Sequence, residues 1–484
     1  MTTDHIMREV SDKPPTYDKQ DDYTLPPGKR LYMDQYNDIY KSRAKILKSR
    51  VMKMASSKWR NETINEVKAK YVNKLLDVKN LTPSYVIGTV FVDMKYKPNI
   101  LKEVSGNIYE APEFEDESQY SELDRTRIDS YSDPSSDQVM LEDDSGRLLL
   151  DGELLDKVVL VTGVVVGVLG MVVEAGIFTI VDIVYPEPGP QKPLPEAKDE
   201  NILFISGLRI SPTSDRAPLE ILKEFIMGEI SSGVDNVAEM LEKTTNLIIL
   251  GNSIEVVDDP HKNLKGKDKY SEINKSNYDS ESLKMLDRWI SDLLVSIPVT
   301  ILPGETDPAE IEFPKPPLHR SLFYHSSRRS NFERLSNPAW LEINGVRILA
   351  TSGENVNDIF KYLIPNIHVE IGDGIDSPLR KEVLHDSRLK LLESTILWQN
   401  VAPTAPDTMC CYPYSGEDPF SLTETPHVYV VGNQPKFETS ILEVKLKNDQ
   451  VARVSIICVP DFSETGQCVM MNTNGLECKQ FRVA

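Results

Sequence analysis

The stretch NILFISGLRISPTSD, residues 201–215, decides the reading of the larger part of this chain. Ile202 to Ser206 is an apolar run that passes straight into a polar loop at Gly207. It reads as a buried strand. In α/β folds, chemistry sits in loops beyond the carboxyl ends of such strands, so Gly207-Leu208-Arg209 is the first place to look for a site. Downstream, a helix around 217–229, the strand NLIIL (246–250), a helix around 282–294 and the strand VTILP (299–303) follow in turn. The hairpin LEINGVRILATS (341–352), a helix near 389–398 and the late strands HVYVV (427–431), EVKLK (443–447) and ARVSIICV (452–459) complete the pattern. The order predicts a layered α/β domain over 201–484 that ends in antiparallel strands.

Upstream, the pattern changes twice. Residues 1–30 are polar and Pro-containing and read as disordered. Over 31–80, Tyr36, Ile39, Tyr40, Ala44, Leu47 and Val51 fall three and four apart, and Trp59, Ile64, Val67 and Val72 extend the series. That spacing predicts a helical segment of one or two helices packed on a neighbouring domain. Residues 81–188 are β-rich: YVIGTVFVDMKY alternates, and VMLEDDSGRLLL (139–150) reads as two strands about a turn. Some five short strands fit a small Greek-key barrel of the OB type. The uncharged run VVLVTGVVVGVLGMVV (158–173) is shorter than a membrane span and reads as two barrel strands joined near Gly167–Gly170. The acidic insert 111–138, with nine acidic and two basic residues, reads as a solvated, mobile loop. A Pro-rich linker, 189–200, separates the domains.

With 484 residues and a formal net charge of −21, the chain has room for two or three domains and little call for a surface that tracks phosphates. The five cysteines form no CxxC pair and read as reduced, buried thiols, with a metal cluster as the alternative. The N-terminus MTTDHIMREVSDKPP carries no secretory signal.

Four loops carry the functional reading. Two-metal phosphoester hydrolysis needs carboxylates and imidazoles converging on paired cations, in loops after successive strands. Those loops read Asp-x-His, Gly-Asp, Gly-Asn-His and Gly-His-x-His. This chain places Gly207-Leu208-Arg209, Gly251-Asn252, Gly304-Glu305-Thr306-Asp307 and Gly432-Asn433-Gln434-Pro435 after its strands. The turn glycines are present and the ligands are not. Gly207 has no ligand atom, Arg209 is a permanent cation, and Asn252 and Asn433 are neutral amides. Thr306 is a poor substitute for His, and Pro435 removes the last imidazole. Glu305 and Asp307 remain as loop carboxylates able to hold a stray cation weakly.

At this point the chain resembles the DNA polymerase delta small (B) subunit family. The resemblance runs from about residue 30 to the C-terminus. Its most specific markers are MKYKPNIL (94–101), MLEDDSGR (140–147), VTGVVVGVLG (161–170), WQNVAPTAPDTMCCYPY (398–414) and VVGNQPKFET (430–439). The resemblance implies an OB-fold β-barrel joined to a calcineurin-like, metallophosphoesterase-type α/β domain that has lost its metal ligands. Gly207, Arg209, Asn252, Thr306, Asn433 and Pro435 are then degenerate former metal-site positions, with Asn400 as a further lost His. It also implies no catalytic residue, no metal and no cofactor. The implied partners are the polymerase delta catalytic subunit, through its cysteine-rich C-terminal domain, and a third small subunit. In yeasts the polymerase zeta catalytic subunit joins them. The implied location is the nucleus, with no membrane. Two alternatives stay open: a single-stranded-DNA-binding OB protein using Tyr85, Phe91, Tyr96, Phe178 and Tyr185, or an active metal-dependent phosphodiesterase.

Overall fold

The computed structural model describes residues 16–17, 23, 35–98, 130–133, 135–174, 176–194, 198–230, 237–256, 278–363, 368–371, 380–383, 388–446 and 450–483. Most of the segment 1–30 and of the acidic insert 111–138 lies outside them.

Five strands form the barrel: β1 (Ser84–Asp93), β2 (Gln138–Asp143), β3 (Gly146–Asp151), β4 (Val165–Glu174) and β5 (Ile177–Val184). They run in the order β1-β2-β3-β5-β4, and β4 pairs back onto β1, so no edge is left open. All pairs are antiparallel except β3 with β5. Val86, Val90, Leu141, Val166, Val168 and Phe178 fill the interior. The uncharged run 158–173 forms one strand with its preceding loop, not two strands. Its alternate residues are both buried: Val166 and Val168 point into the barrel, while Val165 and Leu169 point out beneath a helix. That helix comes close at Gly167, where a Cβ would stand 3.0 Å from Val51 Cγ1. A glycine inside a strand marks such an approach rather than a chain reversal.

The covering helix is α1 (Asn37–Lys58), with Ile39, Leu47, Val51 and Ala55 on its buried face. Residues 59–78 contain no α-helix, only a 3₁₀ turn at Leu75–Asp77. Asn65 and Glu66 both take positive φ and turn the chain between the two-residue strands Thr63–Ile64 and Val67–Lys68. Trp59 lies under the barrel and donates its Nε1–H to Asp182 at 2.7 Å. The apolar spacing beyond Trp59 does not mark a continued helix: Ile64 and Val72 are half-buried and Val67 is exposed.

The α/β part holds two six-stranded sheets. One contains β6 (Asn201–Ile205), β7 (Thr244–Leu250), β8 (Val299–Leu302) and β9 (Phe332–Arg334) in parallel. The other is built on β10 (Ala339–Ile343), β11 (Val346–Thr351), β12 (Val428–Gln434), β13 (Glu438–Lys445) and β14 (Val451–Pro460). The first sheet is completed by β15 (Gln467–Asn472) and β16 (Cys478–Arg482), both antiparallel additions. Ile202 and Phe204 pack between the sheets, and Leu203 and Ile205 pack against helices α2 (Ala217–Met227) and α3 (Ser280–Leu293). Burial on both faces is why β6 reads as an unbroken apolar run. Helices α4 (Glu354–Phe360) and α5 (Leu389–Trp398) cover the other sheet and share one continuous core with the barrel.

Three segments are more ordered than their composition suggests. Thr16–Tyr17 adds to β10 as an antiparallel strand, and Tyr23 accepts a hydrogen bond from Trp340 at 3.2 Å. The Pro-rich stretch is pinned to the α/β part: Gln191 donates to the carbonyls of Pro426 and Arg453 at 2.9 and 2.8 Å, and Pro190 accepts from the Thr425 N–H. The end of the acidic insert is anchored too. Tyr131 is buried edge-on against Tyr362 at 5.2 Å, and its hydroxyl donates to Asp358 at 3.0 Å. One aromatic side chain suffices to dock an otherwise polar tail. Cys410 is exposed, unlike Cys411, Cys458 and Cys468, whose thiols burial pushes up to about 12.

Candidate functional site at the strand ends

The loops after β6, β7, β8 and β12 meet in one hydrogen-bonded network. The Gly207 N–H donates to the Gly251 carbonyl, the Arg209 N–H to that of Asn252, and the Ile210 N–H to that of Ser253. Asn252 Oδ1 accepts from the Thr306 N–H at 3.2 Å, while the Thr306 hydroxyl donates to Ile254 at 2.7 Å. Asn433 reaches across from the second sheet. Its amide donates to the carbonyls of Leu250 at 3.0 Å and Ser352 at 2.8 Å, and its N–H donates to the Ser206 hydroxyl. Arg209, Asn252 and Asn433 all take positive φ, as does Gly207. Strained backbone gathered at loop tips is a mark of a site.

The charges here are satisfied from within. Arg209 Nε donates to Asp461 Oδ2 at 2.9 Å, and Asp461 also accepts from the N–H and hydroxyl of Ser463. A Cβ on Gly207 would stand 2.3 Å from the Asp461 carboxyl carbon, so no acidic side chain fits at 207 beside it. Asp307 is not a cation-binding loop carboxylate. It is buried and accepts from the N–H groups of Gly304, Ser253 and Ile254 at 2.8, 2.8 and 3.2 Å. Burial pushes its carboxyl up, against the pull of those three donors. Glu354, beside Lys315 at 3.4 Å, is pushed up to about 7 by the same cause. Among the described residues, no group of three or more His, Cys, Asp or Glu is placed to hold a metal ion.

Five of the six positions named from the sequence (Gly207, Arg209, Asn252, Thr306 and Asn433) belong to this network. Pro435 lies exposed beyond it. Asn400 is engaged elsewhere, donating to Asp418 at 3.1 Å and accepting from the Ala402 N–H. Asp461 was not among the named positions. Its local signal is the pattern Asp461-Phe-Ser-Glu464, the spacing of a helix cap, and it does cap a short helix.

A second polar junction joins α1 to the α/β part. Arg43 is fully buried. It donates from Nε to Asp418 at 2.9 Å, and from its terminal nitrogens to Pro403 at 2.6 Å and Ala405 at 2.8 Å. Arg50 bridges the Glu187 and Leu422 carbonyls and the side-chain oxygen of Gln399. Gly163 brings the barrel within reach, since a Cβ there would overlap the Pro403 carbonyl oxygen at 1.9 Å. Of the barrel aromatics, Phe178 belongs to the core, and Phe91 lies between Arg147 and Lys97.

Comparison with known proteins gives this geometry a family. Residues 35–183 match the family described as DNA polymerase delta subunit OB-fold domain. Residues 202–439 match the family of DNA polymerase alpha/epsilon B subunits. The DNA polymerase delta small subunit of Saccharomyces cerevisiae is 37% identical over 489 residues, covering 96% of this chain and 93% of the relative. This chain belongs to the DNA polymerase delta small subunit family. That of Oryza sativa subsp. japonica is 31% identical over 93% of both chains, and DNA polymerase delta subunit 2 of Drosophila melanogaster is 30% identical over 93% of both. The family resemblance expected from the sequence markers is therefore established, as is an OB-fold domain followed by a second α/β domain. No helix among the described residues is long and apolar enough to cross a membrane.

Proposed function

We propose that this chain is a non-catalytic accessory subunit of DNA polymerase delta, built on a calcineurin-like phosphodiesterase domain whose metal site has been replaced. The observation that carries the reading is the Arg209–Asp461 ion pair. It puts a permanent cation and its own counter-charge where strand-end loops would otherwise converge on metal. Gly207, Asn252, Thr306, Asn433 and Pro435 are then former ligand positions, and the network binds loops to one another instead of to substrate.

What is left for function is surface. The buried joint at Arg43 and Arg50 locks barrel and α/β part together, so their shared face is a fixed platform. On this reading the chain bridges the cysteine-rich C-terminal domain of the polymerase delta catalytic subunit to the third subunit. The same bridge serves the polymerase zeta catalytic subunit. It works in the nucleus, in DNA replication, repair and translesion synthesis.

The test is co-expression with those two partner domains, followed by nuclease treatment and size exclusion. An equimolar ternary complex is expected. Elution of either partner alone, or competition of both for one face, overturns the bridge. Manganese-dependent cleavage of a phosphodiester by the unaltered chain, lost on changing Arg209, would overturn the loss of activity.

A further inference from the structure

The edge of the first sheet at β9 carries a cluster of charge that the strand-end network does not use. Between His319 and Arg334 the chain has four arginines and two histidines against one carboxylate, Glu333. The segment is held firmly. Phe323 packs edge-on against Phe332 at 5.0 Å, and Arg334 donates to the Leu318 carbonyl at 2.7 Å. Buried Asp287 of α3 accepts from the N–H groups of His325 and Ser326 at 2.8 and 2.9 Å, and the Ser326 hydroxyl donates to the Asp287 carbonyl. The arginines therefore stand on a fixed base.

Their charge is not cancelled locally. Arg320, Arg328 and Arg329 are exposed, and none of the four guanidiniums makes an ion pair among the described residues. Glu333 lies between Phe332 and Arg334 on the strand, so alternation turns it to the opposite face. Burial and the nearby Arg320 charge hold the Arg334 guanidinium below its usual value, with Glu333 opposing them. Tyr324 stands among these charges, 63% exposed, with Arg328 over its ring at 4.2 Å and the His325 ring edge-on at 5.0 Å. The net charge of −21 belongs to the whole chain, whereas a polyanion responds to the local cluster.

We propose that this sheet edge binds a single-stranded nucleic acid, with phosphates on Arg320, Arg328, Arg329 and Arg334 and a base stacked on Tyr324. Guanidiniums match phosphate geometry, and an exposed ring beside cations is the platform an unpaired base needs. An acidic peptide fits less well. The side chains that 319–334 exposes beside its arginines are a phenol ring, imidazoles and serine hydroxyls, none of them aliphatic. None of the barrel aromatics takes part. The proposal goes beyond the accessory-subunit reading and does not depend on it.

The experiment measures fluorescence anisotropy of a labelled oligothymidylate, titrated with the full chain at several salt concentrations. A duplex of the same length and a polyglutamate competitor serve as comparisons. Four phosphate contacts on a single strand predict a slope of about −3 in log affinity against log salt. Joint Arg320→Gln, Arg328→Gln and Arg329→Gln substitution should flatten the slope to about −1 and weaken binding more than about tenfold. Tyr324→Ala should weaken binding about tenfold and leave the slope unchanged, because stacking releases no counterions. These side chains lie at the surface, so the melting temperature should not move in either variant. Ultraviolet cross-linking should join Tyr324 to a base. Binding unchanged in the triple arginine variant overturns the proposal, as does a slope near zero. Polyglutamate that displaces the oligonucleotide at equal charge concentration would assign the site to an acidic protein instead. Equal binding of the duplex, with no loss in Tyr324→Ala, would remove the single-stranded reading.

Discussion

The strand-end network around Arg209 and the joint around Arg43 each set a guanidinium against a carboxylate, and they differ in what surrounds the pair. Arg43 and Asp418 have fully buried side chains, and two carbonyls take up the terminal nitrogens of the arginine. Arg209 keeps a third of its side chain exposed and bonds Asp461 through Nε alone. A buried charge is tolerable only with every donor and acceptor matched, so the first pair is a structural joint. The second pair holds loops that already bond one another through the backbone. The difference separates a residue that keeps two domains together from one that ties loops together at the strand ends.

The largest effect is expected at the joint. Arg43→Met should cost about 3–5 kcal/mol, because Asp418 is left buried without its cation. Urea unfolding should then separate the barrel from the α/β part into two transitions. A loss near zero would put the two arginines on equal terms and break the comparison.

Next comes the anchored end of the acidic insert. Tyr131→Ala should cost about 3 kcal/mol, as for other buried aromatic side chains. Replacing residues 113–129 with a Gly/Ser linker should leave thermal unfolding nearly unmoved. A replacement carried on to 136 should match the Tyr131 loss.

At the strand ends the effects are smaller. Gly207→Asp should destabilise by about 1–3 kcal/mol, since 207 has a positive φ and its Cβ would meet Asp461. Arg209→Ala should cost about 1 kcal/mol, the range of a partly exposed pair. Neither change should produce manganese-dependent cleavage. A stabilising Gly207→Asp would mean that the loop has room for a carboxylate beside Asp461.

The smallest effect is a pH dependence in the Pro-rich segment. His427 Nδ1 accepts from the Arg347 N–H at 2.9 Å, and its Nε2–H donates to the Lys192 carbonyl at 2.7 Å. That arrangement needs the neutral ring, and burial holds the imidazole below its usual 6.5, with Glu424, Glu342 and Lys192 facing it. The stabilisation is therefore complete above 6.5 and is lost as pH falls through the folded-state value. The slope is at most about 1.4 kcal/mol per pH unit. His427→Gln should flatten the stability profile between pH 7 and pH 5, a window of about two units below neutrality. An unchanged profile would assign the linker's docking to Gln191 and Pro190 alone.

The sequence by itself determined the central strands and the loops at their ends, because each is written locally. Apolar runs, turn glycines and the residues that follow them lie within a few positions of one another. The same local view misread places where the contacts are not local. Beyond Trp59, helical spacing persisted without a helix: Asn65 and Glu66 turn the chain, Val67 is exposed, and Ile64 and Val72 are only half-buried. Gly167 and Gly170 looked like a chain reversal, although a close helix and a bulge explain them. Tyr131 was lost in a run of acids. Only the tertiary structure decided which charges meet. Arg209 and Asp461 are 252 residues apart and Arg43 and Asp418 are 375 apart. No periodicity spans such distances, and these pairings arise from sheet order and from the helix that locks barrel to sheet.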